Sequence, residues 1–142
     1  MSKYLEIALR EVGTKETSGP KATPRIVEYA KHTTLKATSD EVAWCSAFVN
    51  WVVDTAGDKG TGSAAARSWL DWGTVVPLAE VEPGDICIFD RKDTSNPQAA
   101  HVTFYMETLA GGFLRCVGGN QGDMVKMSNY GVDKLLGIRR AK

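Results

Sequence analysis

Three short segments of this 142-residue chain carry residue types suited to nucleophilic acyl transfer. The first is Asp40-Glu41-Val42-Ala43-Trp44-Cys45-Ser46, which leads into an apolar run through Phe48, Val49, Val52 and Val53. A thiolate at a helix N-terminus is stabilised by unpaired backbone N–H groups and by the helix dipole. With a cationic neighbour, such placement lowers a thiol pKa from about 8.5 to roughly 3.5–7.5. The second segment begins at His101, which follows a polar loop and opens the run His101-Val102-Thr103-Phe104-Tyr105-Met106. An imidazole at the end of a strand faces a cleft and can serve there as a base. The third is Gly118-Gly119-Asn120-Gln121-Gly122. Here the amide oxygen of Asn120 can accept the other ring N–H of a histidine and fix its tautomer.

Taken singly, each segment has a plainer reading. An isolated free cysteine is a small core residue more often than a nucleophile. A lone histidine at a strand start is usually a surface residue, and a Gly-rich pentapeptide is usually a turn. The order of the three is more informative. A cysteine that opens a helix, followed by a histidine and an amide on successive later strands, puts a nucleophile on one layer and its base on the facing sheet.

The elements that must position these residues are legible as a change of period. Tyr4, Leu5, Ala8, Leu9 and Val12 recur at helical spacing, with Gly13 as a stop. Thr23-Pro24 resembles an N-cap with proline at the first helical position, opening a short helix through Ile26, Val27, Tyr29 and Ala30. A third helix starts near Trp44 and stops before Gly57; its apolar residues cover most of its circumference, which predicts a central, buried helix. Ser63 is a candidate cap for a fourth helix, Ala64 to Asp71, ended by Gly73. Beyond Pro83-Gly84 the pattern becomes that of strands: Asp85 to Phe89, His101 to Met106, Phe113 to Val117 and Leu135 to Arg139. Arg91 to Ala100 is a polar loop, and Gly111-Gly112 is a turn. Helices first and then strands joined by short turns predict an α+β domain, with N-terminal helices packed on an antiparallel β-sheet, over residues 1–142.

Composition narrows the function. Lys+Arg and Asp+Glu both number 17, so no net charge draws the chain toward nucleic acid, and no nucleic-acid partner is expected. No stretch is long and apolar enough to span a bilayer, so no stable membrane insertion is expected. Glu6 and Arg10 interrupt the N-terminal apolar residues, which argues against a secretory signal peptide and for synthesis in the cytoplasm. Three cysteines without a secretion signal point to buried or reactive thiols rather than a disulfide framework. No C-x-x-C pair occurs, and His32 and His101 lack metal-ligand spacing, so no metal and no cofactor are expected.

The combined pattern resembles the CHAP family of cysteine, histidine-dependent amidohydrolases/peptidases, within the papain-like cell-wall hydrolases. Trp44-Cys45-Ser46-Ala47-Phe48-Val49 is similar to the family's nucleophile segment, and Pro83-Gly84-Asp85-Ile86-Cys87-Ile88-Phe89 to the strand before its histidine. His101-Val102 resembles the histidine strand, and Gly118-Gly119-Asn120-Gln121 the segment of the third residue. Ala66-Arg67-Ser68-Trp69-Leu70 and Leu136-Gly137-Ile138-Arg139-Arg140 resemble a compact subgroup of phage and prophage lysins. The resemblance implies a monomeric hydrolase of bacterial peptidoglycan, an endopeptidase or N-acetylmuramoyl-L-alanine amidase, with Cys45, His101 and Asn120 as catalytic residues. Many relatives use a carboxylate as the third residue, which leaves Asp123 as the alternative to Asn120. Family habit further implies an endolysin that acts on the wall after release, in the periplasm of a Gram-negative host.

Two rival readings keep the same fold: a non-catalytic peptidoglycan-binding module, and a cysteine acyltransferase or secreted antibacterial effector. Cys87 and Cys116 lie within apolar strands and read as core; His32 reads as a solvated surface residue. The four tryptophans read as packing, with Trp69 or Trp72 as candidates for the rim of a substrate groove. Asp40 and Glu41 favour the helix dipole; some relatives bind calcium nearby, but no EF-hand-type loop is present.

Overall fold

The structure, a computed structural model, describes residues 3–14, 45–63, 65–90, 100–119 and 124–142. Helix α1 spans Lys3–Arg10 and helix α2 spans Cys45–Thr55. Six strands follow: β1 (Thr74–Val75), β2 (Ile86–Asp90), β3 (Ala100–Leu109), β4 (Phe113–Gly118), β5 (Lys126–Gly131) and β6 (Leu135–Arg140). They form one antiparallel sheet in the order β1-β6-β2-β3-β4-β5, so the fold is α+β. None of the described helices is long and apolar enough to cross a membrane.

Period-two alternation separates the two faces of the sheet. Ile86 and Ile88 of β2 and Val102 and Phe104 of β3 join the core beneath the helices. Cys87, Phe89 and Tyr105 point to the other face, into a second cluster with Leu114, Cys116 and Ile138. On the helical side α2 is central, with eight of its eleven residues buried. Its Phe48 meets Phe104 edge-on at 6.4 Å between ring centroids, and Tyr4 of α1 reaches the same ring at 6.0 Å. Tyr4, Leu5 and Ala8 are the buried face of α1, as their helical spacing predicts, but Leu9 is half-buried, and the helix ends at Arg10, short of the expected Gly13, leaving Val12 40% exposed.

The sheet is curled, and that matters for the site. In strand order, β5 is three steps from β2, roughly 14 Å in a flat sheet at the usual spacing. Yet Tyr130 of β5 stacks on Phe89 of β2 with centroids 4.8 Å apart. A bulge in β3 between Tyr105 and Glu107 adds local twist of the kind that curling requires. Gly111 and Gly112 take φ of 83° and 81° in the β3–β4 turn, a left-handed pair that only glycine adopts cheaply.

The far end of β2 is pinned by Asp85, a carboxylate only 4% exposed. Arg140 donates to both of its oxygens at 2.8 Å, and the Glu82 N–H donates to it at 2.8 Å. A buried carboxylate satisfied in this bidentate way fixes the start of β2 against the end of β6.

Two expectations are corrected here. The fourth helix, expected over Ala64 to Asp71, is a 3₁₀ helix over residues 66–71, and Ala65 precedes it without a side-chain cap. Ser63 does not cap it; its hydroxyl accepts the Ala65 N–H at 3.1 Å in a local turn. Trp69 is fully buried and so cannot rim a groove. The expected helix from Pro24 to Ala30, with His32, Asp40, Glu41 and Trp44, lies outside the described residues.

Candidate active site

Cys45 is the first residue of α2 and is 6% exposed. Burial pushes its thiol up, but the charge of His101 and a hydrogen bond from that imidazole push it down. The backbone N–H groups of Val102 and Ser46 push it down further, and together these outweigh burial, so the thiol lies below its ordinary range. Cys45 and His101 are therefore in contact. His101 is half-buried, the second residue of β3, directly opposite Phe89 of β2.

The chain around Cys45 is held by a buried polar network that sequence reasoning missed. Ser46 Oγ donates to the Ser63 carbonyl at 2.7 Å and accepts the indole N–H of Trp69 at 2.9 Å. One turn along, Asn50 Nδ2 donates to the Ser46 and Ser63 carbonyls at 3.1 and 3.2 Å, and its Oδ1 accepts the Gly62 N–H at 2.9 Å. A Cβ at Gly60 would collide with Asn50 Oδ1, so the loop approaches α2 as closely as glycine allows. Satisfied buried polar groups of this kind specify one arrangement. They lock the loop and the 3₁₀ helix onto the first turns of α2, beside Cys45. The signal was present in the serine after Cys45 and the asparagine one turn later, both set in an otherwise apolar helix.

On the other side, His101 meets an aromatic ring: Tyr130 lies 5.4 Å from it between centroids, tilted by 30°. Asn120 and Asp123, the two candidates for the third residue, lie outside the described residues. Gly118 ends β4, which carries the chain to that segment.

The other two thiols differ from Cys45 in kind. Cys87 and Cys116 are fully buried on the far face of the sheet. A hydrogen bond to Cys116, and then burial, push Cys87 well above the ordinary thiol range. Brief iodoacetamide treatment below neutral pH, followed by peptide mapping, is expected to label Cys45 while leaving Cys87 unmodified. Equal labelling of the three cysteines, or labelling of Cys45 only in strong alkali, contradicts an activated nucleophile.

The fold matches solved structures. One is a protein similar to a lipoprotein, of the NLP/P60 family, from Staphylococcus aureus. It superposes with a TM-score of 0.61 at 23% identity, over 98% of this chain and 40% of that one. Another is NlpC2 from Trichomonas vaginalis, with a TM-score of 0.59 at 18% identity, over 96% of this chain and 44% of that one. The fold is papain-like, of the NlpC/P60 type. This chain thus spans less than half the length of either structure. No family model and no curated protein sequence matches it.

Proposed function

We propose that this chain is a cysteine hydrolase that cleaves an amide bond in the stem peptide of bacterial peptidoglycan. One observation carries the reading: the thiol of Cys45, at a helix N-terminus, is held below its ordinary range by contact with His101. A structural cysteine has no use for that contact. The fold shared with an NLP/P60-family protein and the resemblance to CHAP enzymes support the choice of substrate.

In the proposed reaction the Cys45 thiolate attacks the amide carbonyl carbon, and backbone N–H groups near Cys45 bind the resulting oxyanion. The C–N bond breaks as the His101 imidazolium gives its proton to the leaving amine, which departs from a thioester. Water then attacks the thioester, with neutral His101 taking its proton. The acid is released, and the thiolate–imidazolium pair is restored. Neither step needs a cofactor. In this reading residues 1–142 are one catalytic domain, and the chain is a monomeric phage or prophage endolysin. It acts on the periplasmic wall of a Gram-negative host after release.

Mass spectrometry of fragments released from purified peptidoglycan tests the proposal and separates endopeptidase from amidase products. New amino termini within the stem peptide mark an endopeptidase; peptides freed whole from the glycan mark an amidase. Intact peptidoglycan after prolonged incubation with folded protein overturns the reading and favours a binding module. Products in which an added amine replaces water favour an acyltransferase.

The third residue is assigned to Asn120 because an amide oxygen there can accept the second imidazole N–H. Asn120→Ala is expected to lower turnover by on the order of 10–10³-fold, since nucleophile and base remain and only orientation is lost. Asn120→Asp is expected to be milder, because a carboxylate accepts the same N–H, and Asp123→Asn close to neutral. Rates at matched folded fraction check this. A severe Asp123→Asn defect beside an unimpaired Asn120→Ala reverses the assignment.

A further inference from the structure

We infer that Tyr130 is a positioning residue for His101, its ring closing one face of the imidazole while Phe89 supports it from behind. The inference rests on reading Cys45 and His101 as a nucleophile–base pair; it is independent of what the pair cleaves. A hydrogen bond from a third residue acts in the plane of an imidazole and at one nitrogen only. It leaves the faces of the ring open, so rotation about the Cβ–Cγ bond needs a steric limit. The structure supplies one. The rings of Tyr130 and His101 are 5.4 Å apart and tilted by 30°, within the distance at which an aromatic face also attracts a cation. Tyr130 is itself fixed, stacked at 4.8 Å and 21° on Phe89, which is only 1% exposed. Phe89 in turn is the cross-strand partner of His101. The three rings therefore close a loop: β2 holds Phe89, Phe89 holds Tyr130, and Tyr130 reaches back to the histidine beside Phe89. Only a sheet curled enough to bring β5 over β2 allows this.

The chain has two histidines, His32 and His101, so their imidazole C–H resonances can be followed individually by NMR. Tyr130→Leu is expected to broaden the His101 ring resonances as the imidazole gains rotational freedom, whereas Tyr130→Phe keeps the ring and is expected to leave them as sharp as in wild type. Tyr130→Met, closer in volume, repeats the test should the leucine variant fold poorly. On a cleavable substrate, Tyr130→Leu is expected to reduce kcat about tenfold with KM little changed, and Tyr130→Phe to restore it. His101 resonances as sharp as wild type in folded Tyr130→Leu and Tyr130→Met overturn the inference, as does an equal loss of kcat in Tyr130→Phe. The NMR measurement involves no peptidoglycan. If wild type cleaves none and the resonances still broaden, the proposed substrate fails while the positioning role stands.

Discussion

Replacing Cys45 with alanine is expected to abolish peptidoglycan hydrolysis while the protein still folds. Deleting the nucleophile of an enzyme working through an acyl intermediate costs on the order of 10⁶-fold in turnover. Here neither of the other two thiols can substitute for it: Cys87 and Cys116 are buried on the opposite face of the sheet. The fold should survive because only one sulfur atom is lost, and Ser46, Asn50 and Trp69 hold the first turns of α2 without it. The gap left in a site 6% exposed costs roughly 1 kcal/mol, offset in part because a buried charge is no longer needed. Cys45→Ser is expected to be equally inactive, since a hydroxyl at this position stays protonated where the thiol ionises. The check is clearing of outer-membrane-permeabilised cells, with thermal unfolding followed on the same samples. A Cys45→Ala protein that clears cells at the wild-type rate removes Cys45 from the mechanism.

Much of this site was legible in the sequence because its two central residues sit at element boundaries. Gly57 and the apolar circumference of α2 place Cys45 at a helix start, and the polar stretch before His101 places it near a strand start. Both readings rest on local chemistry, and the structure brings the two residues together. The helices α1 and α2 and strands β2, β3, β4 and β6 were legible for the same reason: each has one face or more that must be buried. Strand β5 was not. Lys126-Met127-Ser128-Asn129-Tyr130-Gly131 has no apolar alternation, and Ser, Asn and Gly are poor strand formers. It pairs on one side only, with β4, at the end of the sheet order. Tyr130 escaped notice with it, since its contact with His101 depends on curvature accumulated over three strand spacings. The helix expected over Ala64 to Asp71 is a 3₁₀ helix at residues 66–71, a stretch too short for the α and 3₁₀ periods to differ in the sequence. The Asp85–Arg140 pair joins residues 55 apart and leaves no local pattern at all.

Replacing His101 with alanine is expected to lower hydrolysis at neutral pH by on the order of 10⁴-fold, through two losses that multiply. One is the proton donor to the leaving amine, worth about 10²–10⁴ in general acid catalysis. The other acts on the nucleophile. In the wild type, burial raises the Cys45 thiol, and the charge and hydrogen bond of His101 more than cancel it. Without them only the Val102 and Ser46 N–H groups oppose burial, so the thiol moves up. The sign of the pH effect follows. Wild-type Cys45 becomes a thiolate at a lower pH than the variant's, so at pH 6 the variant reacts more slowly, about tenfold for each unit of upward movement. Iodoacetamide alkylation of Cys45 followed against pH isolates this second loss, because alkylation needs the thiolate and no proton donor. His101→Gln separates the two contributions of the imidazole: the amide keeps an N–H donor but carries no charge. Its alkylation midpoint is expected between those of wild type and His101→Ala. A His101→Ala protein alkylated at Cys45 as readily as wild type at pH 6 shows that the helix N-terminus alone activates the thiol. In that case His101 keeps its role as acid and base but loses its role in generating the nucleophile, and the ion pair drops out of the mechanism.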